Sequence, residues 1–478
     1  MTKHNFLGRQ HSMKKVLFLP LVAGALLAGA CRDINVPDYN EPLLGDLQDH
    51  PTSGLVKAAA TGMLDASRQD AANYVRYTGI LGREAYYLDT NESRYVTELV
   101  TGVMDPSSFA GGGLWTNRYR SIRTGNVILS SLDKLPSNDD LSAAQKEGIR
   151  GWVKMIQALD LLAIANTREV APIDIAESPT AEPAPFVNQA AMFTRIYKLL
   201  DESRVHLSAA GSSFAFPLPT GFSQFNLATP AKVRQVNFAI RSRADILRLN
   251  YAQAKLDVDS SFVTTAGTDR ASFNIGVYYN FSTAAGDLPN SSLPAAAPQV
   301  ADTMLRVDAQ KNGATTDARY TLKVGTRSGG AYRSFLEIKS NLNFRLYNQS
   351  PFYGSGSQAS PIPIVRNEEL ILIRSEARWF TGDKVGAMAD LNFVRVNSGG
   401  LAPLATPATD ADYITALLYE RRYSLLYEGG FRWMDLRRYN MLGTLTNYPR
   451  PGNKSPAYFP IPFAECLARP TGTAACNK

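Results

Sequence analysis

Histidine and cysteine are scarce in this chain, with four histidines and three cysteines in 478 residues. His4 and His11 fall in an N-terminal segment of targeting character, which leaves His50 and His206 for the body of the protein. Two histidines cannot build a histidine-rich metal site, and they give little material for a Ser-His-Asp triad. We therefore expect no metal site and no cofactor.

The strongest catalytic and nucleotide-binding motifs are also missing. The sequence contains no G-x-x-x-x-G-K-[ST], H-E-x-x-H, G-x-S-x-G or C-x-x-C. A glycosidase needs only two well-placed carboxylates, and the 43 acidic residues leave that option open. We expect a protein that is not an enzyme, and we keep an exported glycan-degrading enzyme as an alternative.

The charge balance gives no sign of a nucleic-acid partner. The formal net charge is +7, but Lys3, Arg9, Lys14 and Lys15 supply four of the positive charges before any acidic residue appears. The rest of the chain holds 46 basic and 43 acidic residues. Because a nucleic-acid footprint requires a concentrated basic stripe, we expect no nucleic-acid binding.

The N-terminus has the pattern of a bacterial signal peptide. Lys14 and Lys15 precede an apolar run from Val16 to Ala30, which is too short to span a bilayer as a stable helix, and Met13 is an alternative start. The run ends in A-G-A-C, similar to a lipobox in which Cys31 is lipidated. The alternative is an ordinary secretory signal that leaves Cys31 as a free thiol. We interpret residues 1–30 as a lipoprotein signal peptide and 31–51 as a lipidated tether.

Helical patterns dominate from Thr52 onward. The spacing of apolar residues and the capping residues predict helices over Thr52–Gln69, Leu114–Leu135, Ser142–Asn166, Asn188–Ala210 and Pro230–Asp257. Residues 261–360 change character, with few charges and many Gly, Ser, Asn and aromatic residues, which indicates loops and short strands. We expect three regions: helical over 52–260, an irregular capping subdomain over 261–360, and helical again over 361–478.

A charged segment near the C-terminus runs from Leu417 to Arg438 and is otherwise apolar and aromatic. Buried charges are costly unless they are paired, so we interpret this segment as an ion-paired clasp between two helices. Catalysis by these residues is the alternative. The predicted clasp residues are Glu420, Arg421, Arg422, Glu428, Arg432 and Asp435.

The same segment resembles the C-terminal signature of the SusD/RagB family of outer-membrane nutrient-uptake lipoproteins. The pattern E-R-R-x-x-L-x-x-E-G-x-x-R-W-x-D-L-R-R covers Glu420 to Arg438. Two residues, Gly430 and Phe431, separate Gly429 from Arg432, where the family usually has one. The W-x-x-x-Y-x-x-I-x-x-x-N pattern from Trp115 and the F-P-I-P pattern from Phe459 resemble further family motifs and occur in the family's order.

This resemblance implies a mainly α SusD-like fold with tetratricopeptide-like helical hairpins. It also implies a surface lipoprotein, anchored to the outer membrane by lipid alone and facing outward. Such a protein binds an oligosaccharide, or less often a peptide, and serves as the lid of a SusC-like TonB-dependent transporter. A structural or adhesive surface lipoprotein is the other alternative.

Sugar binding calls for aromatic faces beside amide, carboxylate or guanidinium groups. Several segments combine these residue types, although each could equally be core packing. The candidate ligand-binding residues are Tyr86, Tyr87, Asp89, Trp115, Asn117, Tyr279 and Tyr347. We expect the other tryptophans, Trp152, Trp379 and Trp433, to lie in the core of amphipathic helices.

The C-terminal tail carries Cys466 and Cys476. In an exported protein these two residues can form a disulfide that closes a short loop and stabilises the C-terminus. The alternative is a pair of free thiols.

Overall fold

The computed structural model describes residues 44–178, 180–292, 298–345 and 357–476. All described residues belong to one compact unit that begins at Leu44. The predicted signal peptide, Cys31 and Tyr347 therefore lie outside the described residues. No helix in the described ranges is long and apolar enough to cross a membrane.

Long helices form most of the body, which confirms the mainly α prediction. The helices before residue 260 are α1 (Leu44–Asp49), α2 (Ser53–Leu81), α3 (Arg94–Thr97), α4 (Thr116–Asp133), α5 (Ala143–Thr167), α6 (Gln189–Ala209), α7 (Thr220–Ser223), α8 (Pro230–Leu247) and α9 (Tyr251–Asp259). Those that follow are α10 (Arg270–Phe273), α11 (Met304–Val307), α12 (Ala318–Lys323), α13 (Asn367–Phe380), α14 (Lys384–Asn397), α15 (Asp410–Ser424), α16 (Phe431–Arg438) and α17 (Phe463–Leu467).

Side-chain caps set the starts of these helices. The Thr52 hydroxyl accepts from the Leu55 amide, and Thr229 caps α8 directly before Pro230. Ser142 and Gln145 form a reciprocal capping box at the start of α5. These starts lie within one residue of the predicted ones. A cap joins residues only three positions apart, so it can be identified from the sequence alone.

Two helix boundaries differ from the sequence prediction. Helix α2 continues to Leu81 instead of ending near Gln69, and its C-terminal half is buried. The predicted helix over Pro230–Asp257 is two helices, α8 and α9, because Leu249 has a left-handed backbone conformation with φ of 57°. No glycine or proline marks that break, so the pattern of residues does not reveal it.

The predicted tether also needs a correction. Its final part forms α1, and Leu47 on this helix is buried. The Leu47 carbonyl accepts a hydrogen bond from Ser131 Oγ on α4 at 2.7 Å. Residues 44–49 therefore do not belong to a tether, since buried Leu47 docks this short helix on the body.

The strands are short and pair only in twos. They are β1 (Ala85–Tyr87), β2 (Val170–Ala171), β3 (Val187–Asn188), β4 (Gly276–Tyr279), β5 (Gln299–Ala301), β6 (Lys311–Asn312), β7 (Thr315–Thr316), β8 (Val324–Thr326), β9 (Arg333–Phe335), β10 (Ile338–Ser340), β11 (Leu342–Phe344) and β12 (Ile362–Arg366). The described pairs are all antiparallel: β1 with β5, β2 with β3, β4 with β12, β6 with β7, β8 with β11, and β9 with β10. The β1–β5 and β4–β12 pairs join residues 261–360 to the rest of the body.

The hydrophobic core lies between the long helices. Trp152, Trp379 and Trp433 are fully buried, as predicted. The Trp152 indole N–H donates to the Ala60 carbonyl on α2, and the Trp379 ring stacks on Tyr413 at 4.0 Å. Each of these large side chains has its polar atom satisfied, which is the condition for burying it at low cost.

The charged C-terminal segment is buried and extensively paired. Glu420 accepts from Arg319 at 2.5 Å and from Arg395 at 2.7 Å. Glu428 accepts from Arg366 at 2.7 Å and from Lys323 at 3.2 Å. Most partners therefore come from outside the segment itself, so the network ties α12, β12 and α14 to α15.

Two further ion pairs involve three more of the predicted clasp residues, Arg421, Arg422 and Asp435. Arg421 on α15 donates to Asp435 on α16 at 2.6 Å, which locks these two helices together. Arg422 pairs with Asp308 at 2.6 Å. Arg432 differs from the prediction: within the described residues it has no carboxylate within 4.0 Å, and its Nε donates to the Gly82 carbonyl at 3.0 Å. It fastens α16 to the end of α2 through a backbone acceptor.

Replacing Glu420 by Gln should destabilise the fold by about 3–5 kcal/mol, because buried Arg395 would lose its one carboxylate partner among the described residues and Arg319 would keep only Asp317. The free energy of unfolding from denaturant titration measures the effect. Lys57→Ala is the matched control: its ion pair with Asp140 is solvent-exposed and should be worth at most about 1 kcal/mol. Equal effects of the two substitutions would contradict the clasp.

Candidate site at the Tyr87 face

Strand β1 places two neighbouring tyrosines on opposite sides, because side chains alternate along a strand. Tyr86 is buried, and its hydroxyl donates to Asp302. The Tyr448 hydroxyl donates to the other oxygen of the same carboxylate at 2.7 Å. Tyr87 is only half-buried and lies toward the surface. Of this predicted pair, Tyr86 belongs to the core and Tyr87 is available to a ligand.

A buried arginine fixes the entry to β1. Arg83 has a left-handed backbone conformation with φ of 54° and turns the chain out of α2. Its guanidinium donates to the carbonyls of Ile80, Val100, Tyr448 and Lys454 at 2.8–3.0 Å. These four bonds anchor the strand that carries Tyr87 to three separate segments of the chain.

Aromatic rings and guanidinium groups surround Tyr87. We define the Tyr87 face as Arg76, Tyr87, Arg94, Tyr95 and Phe109. The ring centroids of Tyr87 and Tyr95 are 4.3 Å apart, and those of Tyr95 and Phe109 are 5.1 Å apart. The Arg76 guanidinium lies 4.8 Å from the Tyr87 ring, and that of Arg94 lies 4.5 Å from the Phe109 ring. Tyr87 and Phe109 remain half-buried, so part of each ring is accessible.

Polar atoms without partners lie beside these rings. Gln299 is the cross-strand neighbour of Tyr87, and its buried amide lies beside the Tyr427 hydroxyl without forming a hydrogen bond of good geometry to any described residue. The Nε atoms of Arg76 and Arg333 are likewise unpaired within that part of the chain. An unsatisfied buried polar group costs about 1–3 kcal/mol, so such a group marks a place where a ligand can stabilise the protein.

The turn after β1 adds acceptors and donors at the surface. Asp89 is half-buried, and its Oδ1 accepts from the Asn91 amide at 2.9 Å. Burial raises the pKa of the Tyr87 hydroxyl, which is therefore a protonated donor at neutral pH. A ring face, a carboxylate, guanidinium groups and a hydroxyl thus meet in one place. This is the combination that recognises the apolar face and the hydroxyl groups of a sugar.

The other predicted ligand residues lie elsewhere. Trp115 is only 5% exposed, and its indole N–H donates to Glu465 at 3.2 Å. It lines a separate cavity of about 390 Å³, together with Tyr119 and Arg123. The Asn117 amide donates to Asp70 at 2.9 Å.

Tyr279 is also removed from the Tyr87 face. It is buried on β4, and its hydroxyl accepts from Arg118 at 3.3 Å. The cavity beside it, about 70 Å³, is too small for a sugar ring. With Tyr347 outside the described residues, Tyr87 and Asp89 are the only predicted ligand residues, among those described, that adjoin the Tyr87 face.

Four members of the Tyr87 face are absent from the sequence prediction: Arg76, Arg94, Tyr95 and Phe109. A partial signal exists for Arg94 and Tyr95, since they follow the predicted residue Asp89 by five and six positions. Arg76 lies within α2 and Phe109 in a loop before α4, so only the tertiary fold brings them beside Tyr87.

The cysteines of the tail are joined. A disulfide links Cys466 to Cys476, with their Cα atoms 5.6 Å apart. Glu465, which precedes the first cysteine, accepts hydrogen bonds from Trp115 and Arg469 at 3.2 Å and 2.6 Å. The closed loop therefore begins beside α4.

The fold of buried helices with short paired strands is similar to that of solved SusD-like proteins. The model of the SusD family matches residues 276–466, which include the signature at Glu420–Arg438. The SusD/RagB resemblance and the SusD-like fold are thereby confirmed. A search of curated proteins finds no match.

Solved structures of low sequence identity share the fold over most of the chain. A surface glycan-binding protein A from Bacteroides thetaiotaomicron, in complex with laminarihexaose, is 13% identical with a TM-score of 0.68, covering 88% of this chain and 98% of that one. A surface glycan-binding protein A from Bacteroides fluxus is 15% identical with a TM-score of 0.66, covering 89% and 98%. A SusD superfamily protein from Bacteroides vulgatus ATCC 8482 is 16% identical with a TM-score of 0.65, covering 87% and 96%.

Proposed function

We propose that this protein binds an oligosaccharide at the Tyr87 face and does not hydrolyse it. The observation that carries the proposal is the set of partly accessible rings, Tyr87 and Phe109, flanked by the guanidinium groups of Arg76 and Arg94. The amide of Gln299 and the carboxylate of Asp89 supply a further donor and acceptors next to them.

The structural neighbours support the same chemical class of ligand. One was solved with laminarihexaose, and another is described as a laminarin-binding SusD-like protein. At such low identity these neighbours share the fold with this chain, and the choice of glycan rests on side chains that differ between them. The proposal is therefore an oligosaccharide, with a peptide as the alternative ligand.

Replacing Tyr87 by Ala should weaken oligosaccharide binding roughly twofold to tenfold, since an aromatic contact contributes about 0.5–1.5 kcal/mol beyond its buried area. Affinity electrophoresis against a panel of polysaccharides, followed by calorimetry with the best oligosaccharide, measures the change. Chromatography of that oligosaccharide after prolonged incubation should show no products.

The matched control is Tyr197→Ala, which removes another half-buried tyrosine, on α6 and outside the Tyr87 face. This control should retain wild-type affinity. Unchanged affinity in Tyr87→Ala, or equal losses in both variants, would place the ligand elsewhere. Shortened products would instead favour an exported glycan-degrading enzyme.

We further propose that the protein is lipid-anchored through Cys31 at the outer face of the outer membrane and delivers its ligand to a SusC-like TonB-dependent transporter. The lipobox-like A-G-A-C sequence after Lys14, Lys15 and the apolar run supports the anchor. The match to the SusD family model supports the transporter partner.

Affinity purification of the tagged full chain from membranes in mild detergent should recover a large outer-membrane transporter.

Cys31→Ala should move the protein from the membrane fraction to the soluble fraction, because one residue carries the acyl chains. Recovery of the tagged protein alone would contradict the transporter proposal, and an unchanged membrane fraction in Cys31→Ala would contradict the anchor.

A further inference from the structure

A third cavity, of about 330 Å³, lies where four helices and the tail converge. It is lined by Asn166 near the end of α5, Gln189 at the start of α6, Arg248 directly after α8, Arg437 and Arg438 on α16, and Tyr458. It shares no residue with the Tyr87 face. Its volume is close to the lower end of the range for small-molecule sites, about 300–1,000 Å³.

The charges around this cavity are unbalanced. Three arginines line it, and no aspartate or glutamate does. Arg438 is committed to protein partners, since it bonds Asp435 at 2.9 Å and also bonds Glu376. Within the described residues, Arg248 and Arg437 have no carboxylate within 4.0 Å, so two cations border the cavity without counter-charges.

Arg437 is held in place by neutral groups. Its Nη1 donates to the carbonyls of Asn166 and Ala457, both at 2.7 Å. The guanidinium lies 4.8 Å from the Trp433 ring and 4.5 Å from the Tyr458 ring. Its Nε and Nη2 have no acceptor among the described residues. The guanidinium is thus pre-positioned, and part of its donor capacity remains unused.

Arg437 differs from other buried arginines that donate only to backbone carbonyls. Arg83 and Arg168 also donate only to backbone carbonyls, and both are fully buried as structural links. Arg437 differs because it borders an open cavity and has an exposed arginine as a neighbour in the lining. Arg248 makes no side-chain hydrogen bond to any described residue and rests 5.2 Å from the Phe193 ring. The donors of Arg248 are therefore free of protein acceptors within the described residues, beside the cavity.

We propose that this cavity binds a single oxyanion group, a carboxylate or a sulfate ester, carried by a ligand no larger than a monosaccharide unit. Arg248 and Arg437 would donate charge-assisted hydrogen bonds to the anion, and the Tyr458 hydroxyl is a third donor on the same wall. The inference is independent of the Tyr87 face. It extends the range of ligands to acidic saccharides, such as uronates.

The test is equilibrium binding of inorganic sulfate, galacturonate and neutral galactose to the full chain at low ionic strength. The first two should bind and galactose should not.

Arg248→Gln should weaken binding of both anions at least about tenfold, since a hydrogen bond to a charged group contributes roughly 1.5–3 kcal/mol. Arg120→Gln is the matched control, because Arg120 is exposed, unpaired within the described residues and outside this cavity.

Arg437→Gln should have the same effect as Arg248→Gln, and circular dichroism checks that this more buried variant is folded. If Arg437→Gln is misfolded, the anion affinity of Arg248→Gln alone tests the proposal, because Arg248 is exposed. Absence of sulfate and galacturonate binding to the wild type would overturn the proposal, as would unchanged affinity in Arg248→Gln or equal binding of galactose and galacturonate. Tyr87→Ala should leave sulfate affinity unchanged, so failure of this site and failure of the Tyr87 face are separable.

Discussion

The fold depends on the burial of two glutamates, Glu420 on α15 and Glu428 in the turn between α15 and α16, among apolar and aromatic residues. Neither carboxylate could be buried alone, because the desolvation of an unpaired charge costs several kcal/mol. Each is matched by two cations from distant parts of the chain. The need for these cations fixes where Arg319, Lys323 and Arg366 lie against the C-terminal helices.

The consequences of this network reach the Tyr87 face. Tyr427, next to Glu428, packs directly on α2 at Gly79, where a Cβ atom would lie only 2.6 Å from the tyrosine ring. Arg432 then bonds the Gly82 carbonyl at the end of α2. Arg83 follows and anchors β1. The clasp, α2 and β1 are therefore successive parts of one support that orients Tyr87 toward the surface.

Much of the fold could be predicted from local sequence. Helix starts at Thr52, Ser142 and Thr229 follow from caps that act over three residues. The break at Leu249 could not be predicted, because leucine rarely adopts the left-handed conformation that ends α8 here, where the Asn250 amide donates back to the Asp245 carbonyl at 2.9 Å. The clasp could be recognised from its own charged residues. Its partners Arg319, Arg366 and Arg395 are distant from it in sequence, and no local motif identifies them as its partners.

The predicted ligand residues show the same difference between what local sequence indicates and what the tertiary structure decides. Tyr87 and Asp89 stand in a stretch whose composition alone suggests sugar binding, but Tyr86 in the same stretch is a core residue, and only the alternation of β1 separates the two. Trp115 has the right side chain for stacking, yet its indole ring is covered and hydrogen-bonded to Glu465. Composition thus indicates the chemistry of the site, while exposure, which depends on the whole fold, selects its members.

The most direct test of this account is a crystal structure of the protein with the oligosaccharide that it binds most tightly in solution. The account predicts a sugar ring in contact, within about 4 Å, with the ring of Tyr87 or Phe109. It also predicts that hydroxyl groups of that sugar bond to Arg76, Asp89 or Gln299. A sugar bound in the cavity beside Trp115, with the Tyr87 face unoccupied, would contradict it.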